Sequence, residues 1–182
     1  MDIRSANADD HAAVRDLHLT AFGDHGRVVA SLVDGLRAAH GERSVELVAT
    51  DGADVVGHVL FTPSLLDAPR RLVEVAVLSP IAVRPGWQRQ GIGGALIRRG
   101  LDAMAERSSP IVFLEGDPGY YARFGFRAAA ELGFRKPSLR IPDAAFQALP
   151  MPAYEPWMTG TLVYSHVFWE HDAVGLREPA AS

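Results

Sequence analysis

The fold of this chain is decided by residues 72–104, LVEVAVLSPIAVRPGWQRQGIGGALIRRGLDAM. In residues 72–83 valines alternate with other side chains, which predicts a strand with one face toward a core. A polar turn over residues 84–90 follows, and glycines then begin a predicted helix. The apolar residues of this helix recur at helical spacing and predict a face packed on a sheet. They are Leu96, Ile97, Gly100, Leu101, Ala103 and Met104.

The turn and the first residues of the helix have the composition of an anion-binding site. The segment reads Gln88, Arg89, Gln90, Gly91, Ile92, Gly93 and Gly94. Backbone N–H groups in the first turn of a helix have no intrahelical partners, and the helix dipole favours negative charge there. The glycines let a phosphate approach those N–H groups, the arginine adds positive charge, and the glutamines add neutral donors. We therefore predict that this segment binds a pyrophosphate.

Two common nucleotide-binding motifs do not explain the segment. A P-loop is excluded because no Gly-Lys-Ser/Thr follows, and Leu96 occupies the third glycine position of a dinucleotide-binding G-x-G-x-x-G. The pattern that fits is Q-x-x-G-x-G, at Gln88, Gly91 and Gly93. The alternative interpretation is a glycine-opened surface helix that binds nothing.

The composition indicates one globular domain. The chain has 182 residues, 48% of them hydrophobic, which is enough for a sizeable core. A net charge of −4 argues against a nucleic-acid-binding protein. The chain has no cysteine, which excludes a cysteine-acyl mechanism, and His166 and His171 lack metal-ligand spacing, so we predict no metal. The N-terminus lacks the apolar core of a signal peptide, and no apolar run could span a bilayer, so we expect a cytoplasmic protein without a membrane partner.

The remaining pattern predicts a mixed α/β sheet with helices on both faces. Strands are expected over residues 2–5, 45–50, 55–61, 111–114, 126–129 and 161–168. Helices are expected over residues 8–22, 27–39 and 118–125. A loop that contains Pro63 and Pro69 is expected between the strand at residues 55–61 and the central strand. Residues 131–156 are rich in proline and are interpreted as a loop region that shapes an acceptor pocket, with Trp157 beside it. A single domain is predicted over residues 1–170, followed by a C-terminal tail over residues 171–182.

A second motif lies at residues 113–126, FLEGDPGYYARFGF, where Tyr121, Gly125 and Phe126 match Tyr-x-x-x-Gly-Phe. Together with Q-x-x-G-x-G, this motif resembles the GNAT superfamily of N-acetyltransferases. The resemblance is strongest to a bacterial subgroup of predicted N-acetyltransferases with a Gly-Asp-Pro-x-Tyr-Tyr-x-Arg-Phe-Gly-Phe run. The order of the predicted helices and strands resembles that of the family over residues 1–168. Individual residues match the family's motifs only over residues 78–126. The resemblance implies a mostly antiparallel central sheet with one splayed strand pair.

The resemblance implies an enzyme that transfers the acetyl group of acetyl-CoA directly to an amine. By position, the backbone of Ile81, Ala82 and Val83 would pair with the pantetheine arm, and residues 88–94 would hold the pyrophosphate. Tyr121 occupies the position that protonates the departing CoA thiolate. An unperturbed phenol has a pKa of about 10 and would be protonated at neutral pH.

The general base is less sharply defined by the sequence. Glu115 lies at the end of the strand that should flank the splayed slot. Glu74, on the central strand, is the weaker alternative. A water chain, or an amine that binds already neutral, would need neither carboxylate.

Other functions stay open at this point. The acceptor is unidentified, although a small-molecule amine is favoured. The rival interpretations are a non-catalytic acyl-CoA-binding module, an interaction domain without CoA affinity, and an acyltransferase that uses a longer acyl donor or a hydroxyl acceptor. The resemblance also allows a homodimer.

Overall fold

The strands form one nine-stranded sheet in the computed structural model, which describes residues 1–175. They are β1 Asp2–Ser5, β2 Val45–Asp51, β3 Asp54–Asp67, β4 Leu72–Val83, β5 Ile111–Glu115, β6 Arg127–Ala128, β7 Phe134–Arg135, β8 Phe146–Pro150 and β9 Gly160–Val163. The strand order is β1-β2-β3-β4-β5-β8-β6, and β9 pairs with both β3 and β7. Only the β4–β5 and β7–β9 pairs of the described sheet are parallel. The predicted mixed, mostly antiparallel sheet is confirmed.

Helices cover both faces of the sheet, as predicted. They are α1 His11–Ala21, α2 Gly26–His40, α3 Ile92–Glu106, α4 Pro118–Tyr121 and α5 His166–Glu170. Leu17 of α1 and Leu36 of α2 are buried in one core with Val75 of β4. Leu96 and Ile97 of α3 are buried in a second core on the opposite face. The alternating valines of β4 and the apolar face of α3 therefore both pack into a core, as the sequence predicts.

Helix α3 approaches the sheet closely at Gly100. A Cβ atom at this position would lie 2.1 Å from Cε2 of Phe61 in β3, and the Phe61 side chain is itself buried. Only a residue without a side chain fits here unless the ring moves. The contact therefore holds α3 against the sheet and keeps its N-terminus near the end of β4.

Strands β4 and β5 separate toward their C-terminal ends. Their register joins Ala76 to Val112 and Val77 to Phe113, and no later pair follows in the described sheet. β4 nevertheless runs on to Val83 and stays paired with β3 over that length. One edge of the remaining part of β4 thus faces a slot instead of a strand, which confirms the splayed pair.

Strand β3 is longer than predicted and contains Pro63, which the sequence analysis placed in a loop. On one side β3 pairs with β4 past this proline. On the other side β2 pairs only as far as Phe61, and β9 begins at Leu65. Pro63 lies in the gap between these two partners, where the N–H that proline lacks is not required. The loop prediction is wrong for this reason.

The C-terminal part differs most from the sequence prediction. Residues 131–156 were expected to be a loop, but they include β7 and β8, and β8 lies between β5 and β6. The strand predicted over residues 161–168 ends at Val163, and α5 follows. Of the predicted tail, residues 171–175 pack on the domain through the fully buried Val174. The rest of the predicted tail lies outside the described residues.

A chain of polar side chains connects α1 and α2 to β2 and β3. His18 Nε2 lies 2.8 Å from His58 Nδ1, and His58 Nε2 lies 3.0 Å from Glu46 Oε1. Arg37 donates hydrogen bonds to both carboxylate oxygens of Glu46, at 2.6 and 3.1 Å. Both imidazoles are fully buried. Burial, reinforced by the neighbouring His58, lowers the pKa of His18 to about 3, so His18 is neutral in the folded protein.

Candidate functional site

The predicted pyrophosphate segment lines a cavity of about 590 Å³ at the N-terminus of α3. Gly91 precedes the helix with a φ of +85°, a left-handed conformation that favours glycine. Within the described chain, no side chain caps the first turn. At Gly93 a Cβ atom would lie 3.0 Å from the Tyr120 hydroxyl, so glycine keeps this part of the cavity open. The free N–H groups and the positive end of the helix dipole therefore face space that an anion can enter.

Three arginines make this cavity positive. Arg89, Arg98 and Arg123 all line it. The guanidinium carbon of Arg98 lies 5.2 Å from the ring centre of Phe124, and that of Arg123 lies 4.7 Å from the ring centre of Tyr120. Stacking on an aromatic face leaves the N–H groups at the edge of a guanidinium available for phosphate oxygens. The cavity thus combines a helix N-terminus with three cations.

The side-chain amides of the two glutamines in the segment donate hydrogen bonds to nearby backbone carbonyls. Gln88 Nε2 donates to the carbonyl of Val83 at 3.1 Å, and Gln90 Nε2 donates to the carbonyl of Gly86 at 3.2 Å. Gln88 also lines the cavity, whereas Gln90 lies outside it. A direct contact of either amide with a pyrophosphate stays a prediction.

Ile81, Ala82 and Val83 lie beside the slot between β4 and β5. Ile81 and Val83 point toward α3, since their side chains lie 3.9 and 3.7 Å from a Cβ atom built at Gly93. Ala82 is buried in the core on the other face. The backbone of all three residues is paired with β3 on one side. The opposite edge is the one that an extended ligand chain could pair with, and this pairing stays a prediction that the resemblance implies.

The two adjacent tyrosines lie in different surroundings. Tyr120 lines the cavity at the glycine segment. Tyr121 lies outside that lining and packs edge-to-face on the rings of Tyr120 and Phe126, with ring centres 5.0 and 6.0 Å apart. Burial, with smaller contributions from Tyr120 and Asp117, raises the pKa of Tyr121 to about 12. The Tyr121 phenol is therefore protonated at neutral pH and is able to donate a proton.

Glu115 lies at the C-terminal end of β5, on the other wall of the slot. Its Oε1 accepts a hydrogen bond from the Tyr164 hydroxyl at 2.7 Å, and its Oε2 accepts one from the Gly175 N–H at 3.2 Å. Burial raises the pKa of Glu115, although these two hydrogen bonds and the charge of Arg140 oppose the rise. The carboxylate is thus held in one orientation and accepts a proton more readily than an exposed glutamate would.

Glu115 faces a second cavity, of about 230 Å³. The walls beside it include Phe22 and Leu32 from the helix pair, Pro80 from β4, and Phe168 from α5. Residues 131–156 and Trp157 contribute no wall to this cavity, so their role in shaping an acceptor pocket stays a prediction. Trp157 instead packs under the guanidinium groups of Arg70 and Arg71, at 5.2 Å from each.

The sequence did not indicate which residues would surround Glu115. Tyr164 was assigned to a strand, and it lies 49 positions from the carboxylate that it holds. Phe22 was assigned to a helix without a role in the site. No local motif joins residues so far apart in the chain. Glu74, the weaker alternative base, is exposed near the start of β4 and forms an ion pair with Arg43 at 2.5 Å, away from the slot.

Comparison with known proteins identifies the family. A family model described as an acetyltransferase (GNAT) domain matches residues 2–129. The chain belongs to this family, and its class is therefore that of the acyltransferases.

Individual relatives agree with this assignment. The uncharacterized N-acetyltransferase YjhQ of Escherichia coli K12 is 32% identical over 131 residues, which are 70% of this chain and 71% of that protein. The crystal structure of E. coli YhbS, a GNAT family N-acetyltransferase in complex with CoA, superimposes with a TM-score of 0.82 at 30% sequence identity. The matched region covers 92% of this chain and 91% of the YhbS chain. A GNAT family acetyltransferase from Brucella melitensis, in complex with acetyl-CoA, has a TM-score of 0.73 at 32% identity, with 92% and 97% covered.

Two negative findings apply to residues 1–175. No group of three or more histidine, cysteine, aspartate or glutamate side chains in this part of the chain could hold a metal ion. No helix in the same part is both long and apolar enough to cross a membrane.

Proposed function

We propose that this protein transfers the acetyl group of acetyl-CoA directly to the nitrogen of an amine. The observation that carries the proposal is the cavity at α3, where an uncapped helix N-terminus and three arginines meet the free edge of β4. This arrangement suits a ligand with a pyrophosphate at one end and an extended arm at the other. Acetyl-CoA has this form, and it supplies the thioester that the reaction consumes.

In this proposal the residues of the cavity hold the donor. The N–H groups at the start of α3, together with Arg89 and Arg98, bind the pyrophosphate. The edge of β4 at Ile81, Ala82 and Val83 pairs with the pantetheine arm, which directs the thioester toward the slot beside β5. Positioning of this kind lowers the entropic cost of bringing the two reactants together.

Two side chains at the slot would handle protons. Glu115 takes a proton from the ammonium form of the acceptor, which leaves a neutral amine able to attack the thioester carbonyl. The C–N bond forms as the C–S bond breaks, and Tyr121 donates its proton to the departing thiolate. Tyr121 recovers a proton from the new amide nitrogen, and Glu115 releases the proton that it took to solvent, so both groups return to their starting state. The pKa values of both groups are raised, which agrees with these roles, because Tyr121 is protonated at neutral pH and Glu115 has an increased affinity for a proton.

The experiment is calorimetric titration of acetyl-CoA into the wild type and into Gly93→Glu. The wild type should bind, whereas the variant should lose binding, because its carboxylate would stand where the pyrophosphate must lie. Gly86→Glu is the matched control. It adds the same charge to the polar turn that precedes α3, at an exposed position that does not line the cavity and has open space around it. Circular dichroism should show that both variants are folded.

Failure of the wild type to bind acetyl-CoA would overturn the proposal and favour an interaction domain. Equal loss of binding in Gly93→Glu and Gly86→Glu would contradict the assignment of the pyrophosphate to the first turn of α3.

A further inference from the structure

The cavity at Glu115 has walls that select for a particular kind of acceptor. Phe22, Val29 and Leu32 form the wall on the side of the helix pair. Phe168 and Ala173 close it from the C-terminal part of the chain. These side chains offer no hydrogen bond to a ligand, and Ser79 is the one polar side chain among the described lining residues besides Glu115 and Tyr164. The part of a bound molecule that lies between the apolar walls is therefore best accommodated when it is apolar.

The charge at this cavity is confined to one group. Glu115 is the only ionisable acid or base among its described lining residues apart from the Tyr164 phenol, and that phenol donates to Glu115. One carboxylate balances one ammonium group. A second cation placed between the same apolar walls would be desolvated without a partner, which costs several kcal/mol per ion.

The volume restricts the acceptor further. The cavity measures about 230 Å³, below the roughly 300–1,000 Å³ typical of sites for drug-sized ligands. A cavity of about 150 Å³ is enough for benzene. The space at Glu115 therefore suits one ring or a short alkyl chain together with an amino group.

We infer that the acceptor is a small monoamine with an apolar body, such as a short alkylamine or arylalkylamine, and that Phe22 limits its size. This inference rests on the proposed function and makes it specific. The ammonium group binds at Glu115, and the apolar body lies between the helix pair and α5. Polyamines, aminoglycosides and the lysine side chains of folded proteins do not match these walls.

The first test compares butylamine with 1,4-diaminobutane on the wild-type protein. The two amines have the same carbon chain and differ only in the second amino group. With acetyl-CoA as donor, CoA release measured with a thiol reagent should give a kcat/KM at least about 30-fold higher for butylamine, since the second ammonium group would be buried unpaired. Equal rates, or a preference for the diamine, would overturn the inference.

The second test changes the size of the cavity. Phe22→Ala should shift the preference from 2-phenylethylamine toward 4-phenylbutylamine by at least about 10-fold in the ratio of kcat/KM, because removing the ring opens one wall. Val28→Ala, at an exposed position on α2, is the matched control and should leave the ratio unchanged. An unchanged ratio in Phe22→Ala would remove Phe22 from the site.

Measuring acetyl-CoA binding by calorimetry distinguishes failure of the acceptor inference from failure of the proposed function. Protein that binds acetyl-CoA but acetylates only polycationic acceptors contradicts the inference and leaves the proposed function intact. Protein that does not bind acetyl-CoA overturns both.

Discussion

Tyr120 and Tyr121 are neighbours in the sequence, yet their hydroxyl groups have separate tasks in the proposed reaction. Tyr120 lines the cavity at the glycine segment, near Gly93. Tyr121 is the motif tyrosine, and its raised pKa keeps it in the proton-donating form. The two phenols should therefore affect different kinetic constants.

Removing each hydroxyl in turn tests this division. Tyr121→Phe should lower kcat by about 100-fold or more, because general acid catalysis typically contributes that much, and should leave the KM for acetyl-CoA nearly unchanged. Tyr120→Phe should alter that KM and preserve kcat. Steady-state kinetics with a fixed amine gives both constants. The reverse outcome, in which only Tyr120→Phe lowers kcat, would transfer the role of acid to Tyr120.

The sequence was most informative about single residues where function is local. The glycine segment could be predicted because its N–H groups, glycines and Arg89 lie within seven consecutive positions. The sequence placed Arg98 on a solvated face and left Arg123 open between a phosphate contact and a solvated helix position, because only the folded chain brings α3 and the residues after α4 together. Glu115 was selected from its position at a strand end, but its orientation depends on Tyr164 and Gly175, which no local pattern indicates.

Helix α3 depends on its close contact with the sheet. Glycine in a helix interior is normally less favourable than alanine by about 1 kcal/mol, so Gly100→Ala would stabilise a free helix. Here the new methyl group would lie 2.1 Å from the buried Phe61 ring. Overpacking of a core typically costs about 1–3 kcal/mol, and we expect it to exceed the gain in propensity.

Thermal unfolding shows whether the cost of overpacking at Gly100 exceeds the gain in helix propensity. Gly100→Ala should unfold at a lower temperature than the wild type. Gly94→Ala, on the same helix, should unfold at the same or a higher temperature, because its new methyl group would meet the flexible end of Arg98 at 3.3 Å. A Gly100→Ala protein as stable as the wild type would show that Phe61 moves aside at little cost.

At the element scale, long periodic segments were predicted well and short ones were not. β4 and α3 combine clear periods with sufficient length, and both lie where the pattern placed them. β8 has only five residues and ends at Pro150, within a segment rich in proline, so it gave no alternation long enough to recognise. Pro63 misled the prediction of β3 because its tolerance depends on which strands pair beside it.

For the whole molecule, the buried histidines make stability depend on pH. An unfolded histidine has a pKa of about 6.5, whereas burial lowers the pKa of His18 to about 3. Burial also lowers the pKa of His58, although Glu46 opposes this. Below pH of about 6.5 the unfolded chain therefore binds protons that the folded chain does not, and the free energy of unfolding falls as the pH decreases.

Urea unfolding between pH 7.5 and 5 tests this dependence. His18→Leu should be less stable than the wild type at pH 7.5 by about 1–3 kcal/mol, because His58 loses its partner. Its stability should nevertheless fall less steeply as the pH decreases, since one of the two histidines is gone. Val28→Ala, at an exposed position without a titratable group, should keep the wild-type slope. An unchanged slope in His18→Leu would contradict a buried neutral His18.

The two hydrogen-bond partners of Glu115 lie far after it in the chain, so they are synthesised later than Glu115 itself. Tyr164 follows Glu115 by 49 positions and Gly175 follows it by 60. A ribosome therefore synthesises the whole glycine segment, residues 88–94, long before the groups that orient Glu115 emerge. A domain generally folds as a unit. A nascent chain that stops short of residue 164 would thus contain the glycine segment but neither of the groups that orient Glu115, so it would lack a correctly held base.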